Sequence, residues 1–244
     1  MSKTFIIAEI GINHNGSLRV AKKLIDSAVR AGVDAVKFQT YITEKRVKKD
    51  SSIFNILKKC ELTFEDFRKL NNYSKKKGVE FMSTPFDIES FDFLKSLEIS
   101  KIKIASFDTV NTKFLKEISK KKSNFIMSVG MSKIKEIENA YKILKNGSKN
   151  KVSLLHCVSS YPTEEKDSQL NCIKFLKKKF DCLVGHSDHT NDIFVSFCAV
   201  AMGASIIEKH FMIDNKMKCV DRPVSITENQ MKTLIHNIRR FETT

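Results

Sequence analysis

The sequence predicts an α/β fold, a (β/α)8 barrel, on three observations. Eight short apolar runs, mostly rich in β-branched residues, alternate with longer amphipathic stretches from one end of the chain to the other. The length of 244 residues is close to the roughly 250 typical of such a barrel. The main rival, a doubly wound sheet, usually carries a Gly-rich phosphate turn after an early strand, and the eight glycines here form no G-x-G.

In chain order, the first run is FIIAEIG from Phe5, and Leu18, Ala21, Ile25 and Ala28 then recur at helical spacing. The second is DAVKFQT from Asp34. It is followed by YITEKRVKKDSSIFNILKKCE, long and polar for a βα connection, which is expected to be an active-site loop. The next four runs are EFMSTPF from Glu80, KIKIAS from Lys101, FIMSVG from Phe125 and VSLLHCV from Val152, each with a helix-like segment behind it. CLVGHSD from Cys182 and SIIEKHF from Ser205 complete the set, and Thr227 with Gln230 forms a capping box opening a last amphipathic segment to Phe241. No repeat, Pro-rich linker or composition break interrupts the pattern, so residues 1–244 are expected to form a single TIM-barrel domain.

Composition narrows the function classes. No apolar run approaches the roughly 20 residues that span a bilayer. The first apolar stretch meets Glu9 too early for a secretory signal, so a cytoplasmic location is expected. The six cysteines form no C-x-x-C pair and are expected to be free thiols. The net charge of +15 suggests a polyanion partner, yet only seven of the 43 basic residues are Arg, and the lysines are scattered along helix faces without interleaved aromatics. A solvated basic surface is expected, with no nucleic acid and no membrane as partners.

In a barrel, catalytic groups come from the C-terminal ends of the strands and the loops after them. The first strand end supplies Glu9 and Asn13-His14-Asn15, the second Lys37 and Gln39, the third Ser83 and Thr84, and the fourth Lys103, Ser106 and Asp108. Ser128 and Gly130 come from the fifth, His156, Ser159, Ser160 and Tyr161 from the sixth, His186, Ser187, Asp188 and His189 from the seventh, and Glu208 and His210 from the eighth. An inward charge costs several kcal/mol unless a partner or ligand offsets it, so Lys37, Lys103 and Glu208 mark a polar cavity. The bland alternative is that Lys37 pairs internally with Glu9 or Glu208. Two lysines with several hydroxyls form a donor ring suited to a phosphate and a carboxylate held together. His189 and His210, ending adjacent strands, are placed to share a divalent metal completed by water and substrate oxygens. His14 and His156 are expected to be structural, and His236 to lie on the surface.

Read together, EIGINHNG, DAVKFQT, STPFD, KIASFD, SVGMS, LLHCVSSYP, GHSDHT and EKHF resemble the sialic acid synthase family of phosphoenolpyruvate-dependent nonulosonate synthases over essentially the whole chain. The resemblance implies a TIM barrel condensing phosphoenolpyruvate with an N-acylated hexosamine, such as N-acetylmannosamine or a diacetamido-trideoxyhexose. The products implied are phosphate and a nine-carbon 2-keto acid of sialic, legionaminic or pseudaminic type. A divalent metal is implied, usually Mn2+, with Mg2+ or Co2+ as alternatives. His189 and His210 match its ligands, Lys37 and Thr84 match the carboxylate-holding positions, and Lys103, Ser106, Ser128 and Ser187 match those around phosphate. Gln39 and Asp108 fall where the family orients or deprotonates water, Asp108 replacing a usual Glu. Glu9, Tyr161 and Asp221 resemble sugar-contacting positions, and Glu9 is grouped with the catalytic residues.

Departures lie on the sugar side. Cys219-Val220-Asp221-Arg222 replaces a common G-P-D-H, and Ser159 stands where Asn is frequent. The family usually adds a C-terminal antifreeze-like domain that lends an Arg to the partner's site, and the chain ends at Thr244 without it. A homodimer is expected, a separate antifreeze-like protein is a candidate partner, and Arg222 is a candidate for the missing cation. Three rivals stand beside this reading. A Schiff-base aldolase would use Lys37 or Lys103 as nucleophile. A metal hydrolase would want an H-x-H pair, which no two of the six His form. A non-catalytic barrel would bind sugar or a partner subunit only.

Overall fold

In a computed structural model, which describes residues 3–148 and 150–244, eight parallel strands close on themselves in chain order, the last pairing with the first. The strands are β1 (Phe5–Gly11), β2 (Ala35–Thr40), β3 (Glu80–Pro85), β4 (Lys101–Ile104), β5 (Asn124–Ser128), β6 (Lys151–Cys157), β7 (Val184–Asp188) and β8 (Ile206–His210). Each falls within two residues of the run that predicts it. Around them lie α1 (Leu18–Ala31), α2 (Thr43–Arg46), α3 (Phe54–Cys60), α4 (Phe64–Lys76), α5 (Ile88–Ser96), α6 (Thr112–Ser119), α7 (Ile134–Asn146), α8 (Asn171–Lys179), α9 (Phe194–Ala201) and α10 (Glu228–Glu242). The capping box before the last helix is formed, Thr227 accepting from the Gln230 amide while the Gln230 side chain accepts from Thr227.

The loop after β2, expected to be an active-site loop, folds into α2 and α3, and its Arg46 lines the cavity described below. Leu57 and Cys60 of α3 bury against Ile12 and Tyr41, and the Tyr41 hydroxyl donates to the Leu57 carbonyl at 2.9 Å. That small satellite core fixes the loop over the barrel mouth.

Strand alternation sorts side chains into two cores. Outward residues such as Ile6, Ala8, Ile10, Val36 and Phe38 pack under the helices with Leu24, Ile25 and Ala28 of α1. Inward residues Ile7, Ala35, Met82, Ile126, Leu155 and Ile206 plug the lower half of the barrel. The next inward positions are Glu9, Lys37, Thr84, Lys103, Ser128, Cys157, Ser187 and Glu208. The register sets Glu9 beside Lys37 and Ser187 beside Glu208. The apolar plug therefore forms the floor of a polar chamber.

The floor is tight at β7. A Cβ added to Gly185 would meet the Ile206 carbonyl oxygen at 2.2 Å and Leu155 Cδ2 at 2.7 Å. Gly185→Ala is accordingly expected to cost about 2 kcal/mol or more, measured by denaturant unfolding. Unchanged stability would contradict a fully packed plug.

Candidate active site

Four buried charges alternate across the chamber. Lys37 Nζ lies 2.6 Å from Glu9 Oε2 and 3.7 Å from Glu208 Oε2, and Lys103 Nζ lies 3.6 Å from Glu208 Oε1. Hydroxyls complete the set. Lys37 donates to Thr84 Oγ1 at 3.2 Å, Lys103 to Ser128 Oγ at 2.7 Å, and Ser187 Oγ to Glu208 Oε1 at 2.9 Å. The internal pairing of Lys37 is thus present, and it extends through Glu208 to the second lysine.

Burial and neighbours push these groups in different directions. Burial alone would lower Lys37, but Glu208 and Glu9 outweigh it and hold the ammonium above the ordinary lysine range. Burial pulls Lys103 below that range, since Glu208 offsets it only in part and Lys37 repels it. Burial works against the Glu208 carboxylate, yet Lys103 and then Lys37 keep its pKa below the usual value. Glu9 is pushed up to about 7 by burial, against the pull of Lys37. Lys103 has only the Glu208 carboxylate near it, at 3.6 Å, against the 2.6 Å pair of Lys37 with Glu9, so Lys103 is the less fully compensated of the two lysines. A buried cation in that condition is stabilised by an anionic ligand.

The cavity above is about 300 Å³ and is lined by Glu9, Lys37, Gln39, Thr84, Lys103, Ser106, Ser128, Ser159, Tyr161, Ser187, His189 and His210 among others. Twelve of the fifteen sequence-predicted residues thus share one cavity. His189 Nδ1–H donates to the Val158 carbonyl at 2.7 Å, which leaves Nε2 as the acceptor facing the Tyr161 hydroxyl at 2.9 Å. The His210 ring centre lies 5.7 Å from that of His189, and its Nδ1 is buried with no hydrogen-bond partner, 3.6 Å from Asp221 Oδ2. Burial drives both imidazoles below the ordinary histidine range, with mutual repulsion adding at His210, so both present neutral nitrogens at pH 7. Neutral, adjacent imidazoles with an orphaned buried nitrogen suit two positions of a metal shell. No group of three or more His, Cys, Asp or Glu placed to hold a metal occurs among the described residues, so further ligands would have to be water or substrate.

Three predicted residues stand off the cavity. Asp108 is buried in the 3₁₀ turn after β4; Asn111 donates to its Oδ1 at 3.2 Å and its Oδ2 has no partner. Burial lifts it to about 6. Its side chain, one methylene shorter than Glu, is not among those that line the cavity. Asp221 backs His210 without lining the cavity, its amide donating to Asn13 Oδ1 at 3.0 Å, and burial lifts it too to about 6. Arg222 begins a 3₁₀ turn that carries it into solvent, and its side chain makes no ion pair or hydrogen bond among the described residues. The expectation that it supplies a cation to the site is not met by this geometry.

Sequence reasoning missed Arg46, Phe86, Phe107, Met131 and Cys157 as cavity residues. Arg46 had one available signal, being the only Arg of the loop after β2. His14 and His156 are structural as expected, His14 Nδ1 accepting from the Gly16 amide and His156 Nε2 contacting the Ser168 carbonyl at 2.7 Å. His236 is exposed on α10.

A closed (β/α)8 barrel with two buried lysines, a ring of hydroxyls and two neutral histidines at its mouth defines an enzyme scaffold for a small anionic substrate. The chain belongs to the NeuB family, whose profile matches residues 24–244. It is 40% identical to the N,N'-diacetyllegionaminic acid synthase of Campylobacter jejuni, over 99% of this chain and 77% of that protein. Identity to a Campylobacter jejuni pseudaminic acid synthase is 34%, over 98% of this chain and 74% of the other. The fold superposes with a TM-score of 0.96 on N-acetylneuraminic acid synthetase from Leptospira borgpetersenii, 37% identical and covering 99% of this chain and 85% of that one. The protein is accordingly a NeuB-type synthase, a transferase. No helix among the described residues is long and apolar enough to cross a membrane.

The charge pattern makes a direct prediction for inorganic phosphate. Lys103→Met should weaken phosphate binding by about 10- to 100-fold in calorimetry, the loss of one charge-assisted contact, while leaving the folded state intact. Unchanged phosphate affinity would remove Lys103 from the anion site.

Proposed function

We propose that this chain condenses phosphoenolpyruvate with an N-acylated hexosamine, either N-acetylmannosamine or a diacetamido-trideoxyhexose. The products are phosphate and a nine-carbon 2-keto acid of sialic, legionaminic or pseudaminic type. The observation that carries this reading is the under-compensated Lys103 beside the Lys37–Glu208 pair, within one cavity that also holds the two neutral histidines. Phosphoenolpyruvate brings both a carboxylate and a phosphate, and the two lysines with Thr84, Ser106, Ser128 and Ser187 offer cations and donors for both. The electron-rich C3 then faces the sugar aldehyde, a carbon–carbon bond forms there, water adds at C2, and the tetrahedral intermediate expels phosphate by C–O cleavage.

Each side chain has a part in this. Lys103 and its hydroxyl neighbours hold the phosphate as it takes up the charge of the breaking C–O bond. Gln39, held by Arg46 on one side and donating to Glu9 Oε1 at 3.3 Å on the other, is oriented toward the water that adds. Glu9, with its pKa of about 7, is suited to exchange a proton near neutrality. Asp108 acts, if it reaches the water, only after its side chain turns away from Asn111. Tyr161, Ser159 and Asp221 lie toward the sugar, and Arg222 has no part in this arrangement. His189 and His210 would hold a divalent metal, Mn2+ in preference to Mg2+ or Co2+, which when bound supplies Lewis-acid polarisation of the aldehyde.

A homodimer and an antifreeze-like domain over the barrel mouth belong to the same proposal. Exposed Phe107, Met131 and Tyr161 at the mouth offer such a cover an apolar surface. A cytoplasmic setting follows from the substrate, a metabolite of the cell interior.

The test is phosphate release with phosphoenolpyruvate and a panel of N-acylated hexosamines, with the 2-keto acid identified by mass. Chelation is expected to abolish turnover and manganese to restore it, while His189→Ala or His210→Ala lowers kcat by at least about 100-fold. Full activity after chelation, with no metal detectable by elemental analysis, would contradict the metal role. Absence of phosphate release with every sugar would contradict the synthase reading.

A further inference from the structure

The last register pair between β7 and β8 is Asp188 with Lys209, so His189 and His210 come next on either side, where that ladder has stopped. His210 is still paired with Glu9 of β1, whereas His189 belongs to no strand. Lys209 takes over at that point. Since Glu208 faces the chamber, alternation turns Lys209 to the outer face of the barrel wall, where its side chain is fully buried. Its Nζ lies 3.2 Å from Asp188 Oδ2 and donates to the Thr190 carbonyl at 2.6 Å and to Thr190 Oγ1 at 3.3 Å. Three acceptors match the three N–H groups of an ammonium. One side chain, covalently next to His210, therefore holds both of the residues that flank His189. The carboxylate is fixed in turn, Oδ1 accepting from the Thr190 amide at 2.8 Å and Oδ2 from Ser196 Oγ at 2.6 Å.

None of Asp188, Thr190, Ser196 and Lys209 lines the active-site cavity. Removing two charges from water costs several kcal/mol, and apolar side chains would fill the same wall without that cost. What the ion pair adds is direction. The Val158 carbonyl sets the rotation of the His189 ring, and the clamp sets where its backbone stands relative to His210. Ligand affinity at a metal site depends on such outer contacts, because they hold the donor atoms at their working separation.

We infer that Lys209 and Asp188 are positioning residues for the histidine pair, setting the separation of the two imidazoles from outside the barrel wall. The inference rests on the reading of His189 and His210 as metal-holding residues and names what tunes their affinity. The anion site at Lys103 is built by other side chains, so metal and phosphate should respond separately.

The experiment is a manganese titration of the full chain, followed by the electron paramagnetic resonance signal of free Mn2+. Lys209→Met combined with Asp188→Asn removes both charges together, leaves no unpaired buried ion and keeps an oxygen at position 188 to accept from the Thr190 amide. This double variant is expected to raise the Kd for Mn2+ about 10- to 100-fold. Its affinity for inorganic phosphate, measured by calorimetry without metal, should equal that of the wild type. An unchanged Kd for Mn2+ would overturn the inference. So would a parallel loss of phosphate affinity, which is the signature of a generally loosened barrel. If the double variant fails to fold in a thermal scan, Ser196→Ala, which frees one side of the Asp188 carboxylate and touches neither histidine, must raise the Kd for Mn2+ by about 3-fold or more for the inference to stand. A wild type that binds no Mn2+, like His189→Ala, would defeat the metal reading itself, an outcome distinct from wild-type binding with an indifferent double variant.

Discussion

The site depends on Glu208, the one carboxylate that two buried lysines share. Its oxygens lie 3.7 Å from Lys37 and 3.6 Å from Lys103, and Ser187 donates to it at 2.9 Å. Without an anion at that point, two ammonium groups would face each other in the barrel interior with little solvent to separate them. With it, both are held in position, and Lys103 still has no carboxylate nearer than 3.6 Å. That under-compensation is what a small polyanion can satisfy. The apolar plug of Ile7, Ala35, Met82, Ile126, Leu155 and Ile206 strengthens the effect, since it closes the chamber from below and keeps the local dielectric low.

Outside the barrel wall a second set of buried polar contacts holds the histidine end. Lys209 is fully buried, 3.2 Å from Asp188 Oδ2, and donates to the Thr190 carbonyl at 2.6 Å. Asp188 in turn accepts from the Thr190 amide and from Ser196 Oγ. His189 sits between the two anchored residues, which limits where its imidazole can go. Asn13 does similar work on the other side, donating to the Phe211 carbonyl and Ser225 and accepting from the Asp221 amide, so the segment after β8 is tied to the one after β1. The absence of a side chain at Gly11 (φ +53°) matters to the same region. A Cβ there would come within 3.2 Å of Asp221 Oδ2 and Glu9 Oε1.

Strand ends were legible in the sequence because alternation converts position directly into direction. Once FIIAEIG and DAVKFQT are strands, Glu9 and Lys37 must point inward, and the register sets them side by side. The same logic found Thr84, Lys103, Ser128, Ser187, His189 and His210. It failed where direction is set by turns. Arg222 follows Asp221 in sequence, but a 3₁₀ turn sends it to solvent while Asp221 stays against His210. Asp108 was assigned to the end of the fourth strand, but the 3₁₀ turn that begins at Ser106 carries it beside Asn111, which donates to its Oδ1. Arg46 was hidden because its placement rests on Phe86, forty residues away on another strand's loop, and on the two-helix fold of its own segment.

The central claim is that Glu208 holds together an interior otherwise destabilised by its own cations, and that an anion relieves the same strain. Its most direct test is the thermal stability of Glu208→Gln with and without inorganic phosphate. The account predicts a free variant destabilised by about 3 kcal/mol or more, and a larger stabilisation by saturating phosphate than in the wild type, because the ligand then replaces missing negative charge. A variant as stable as the wild type, with the same response to phosphate, would contradict it.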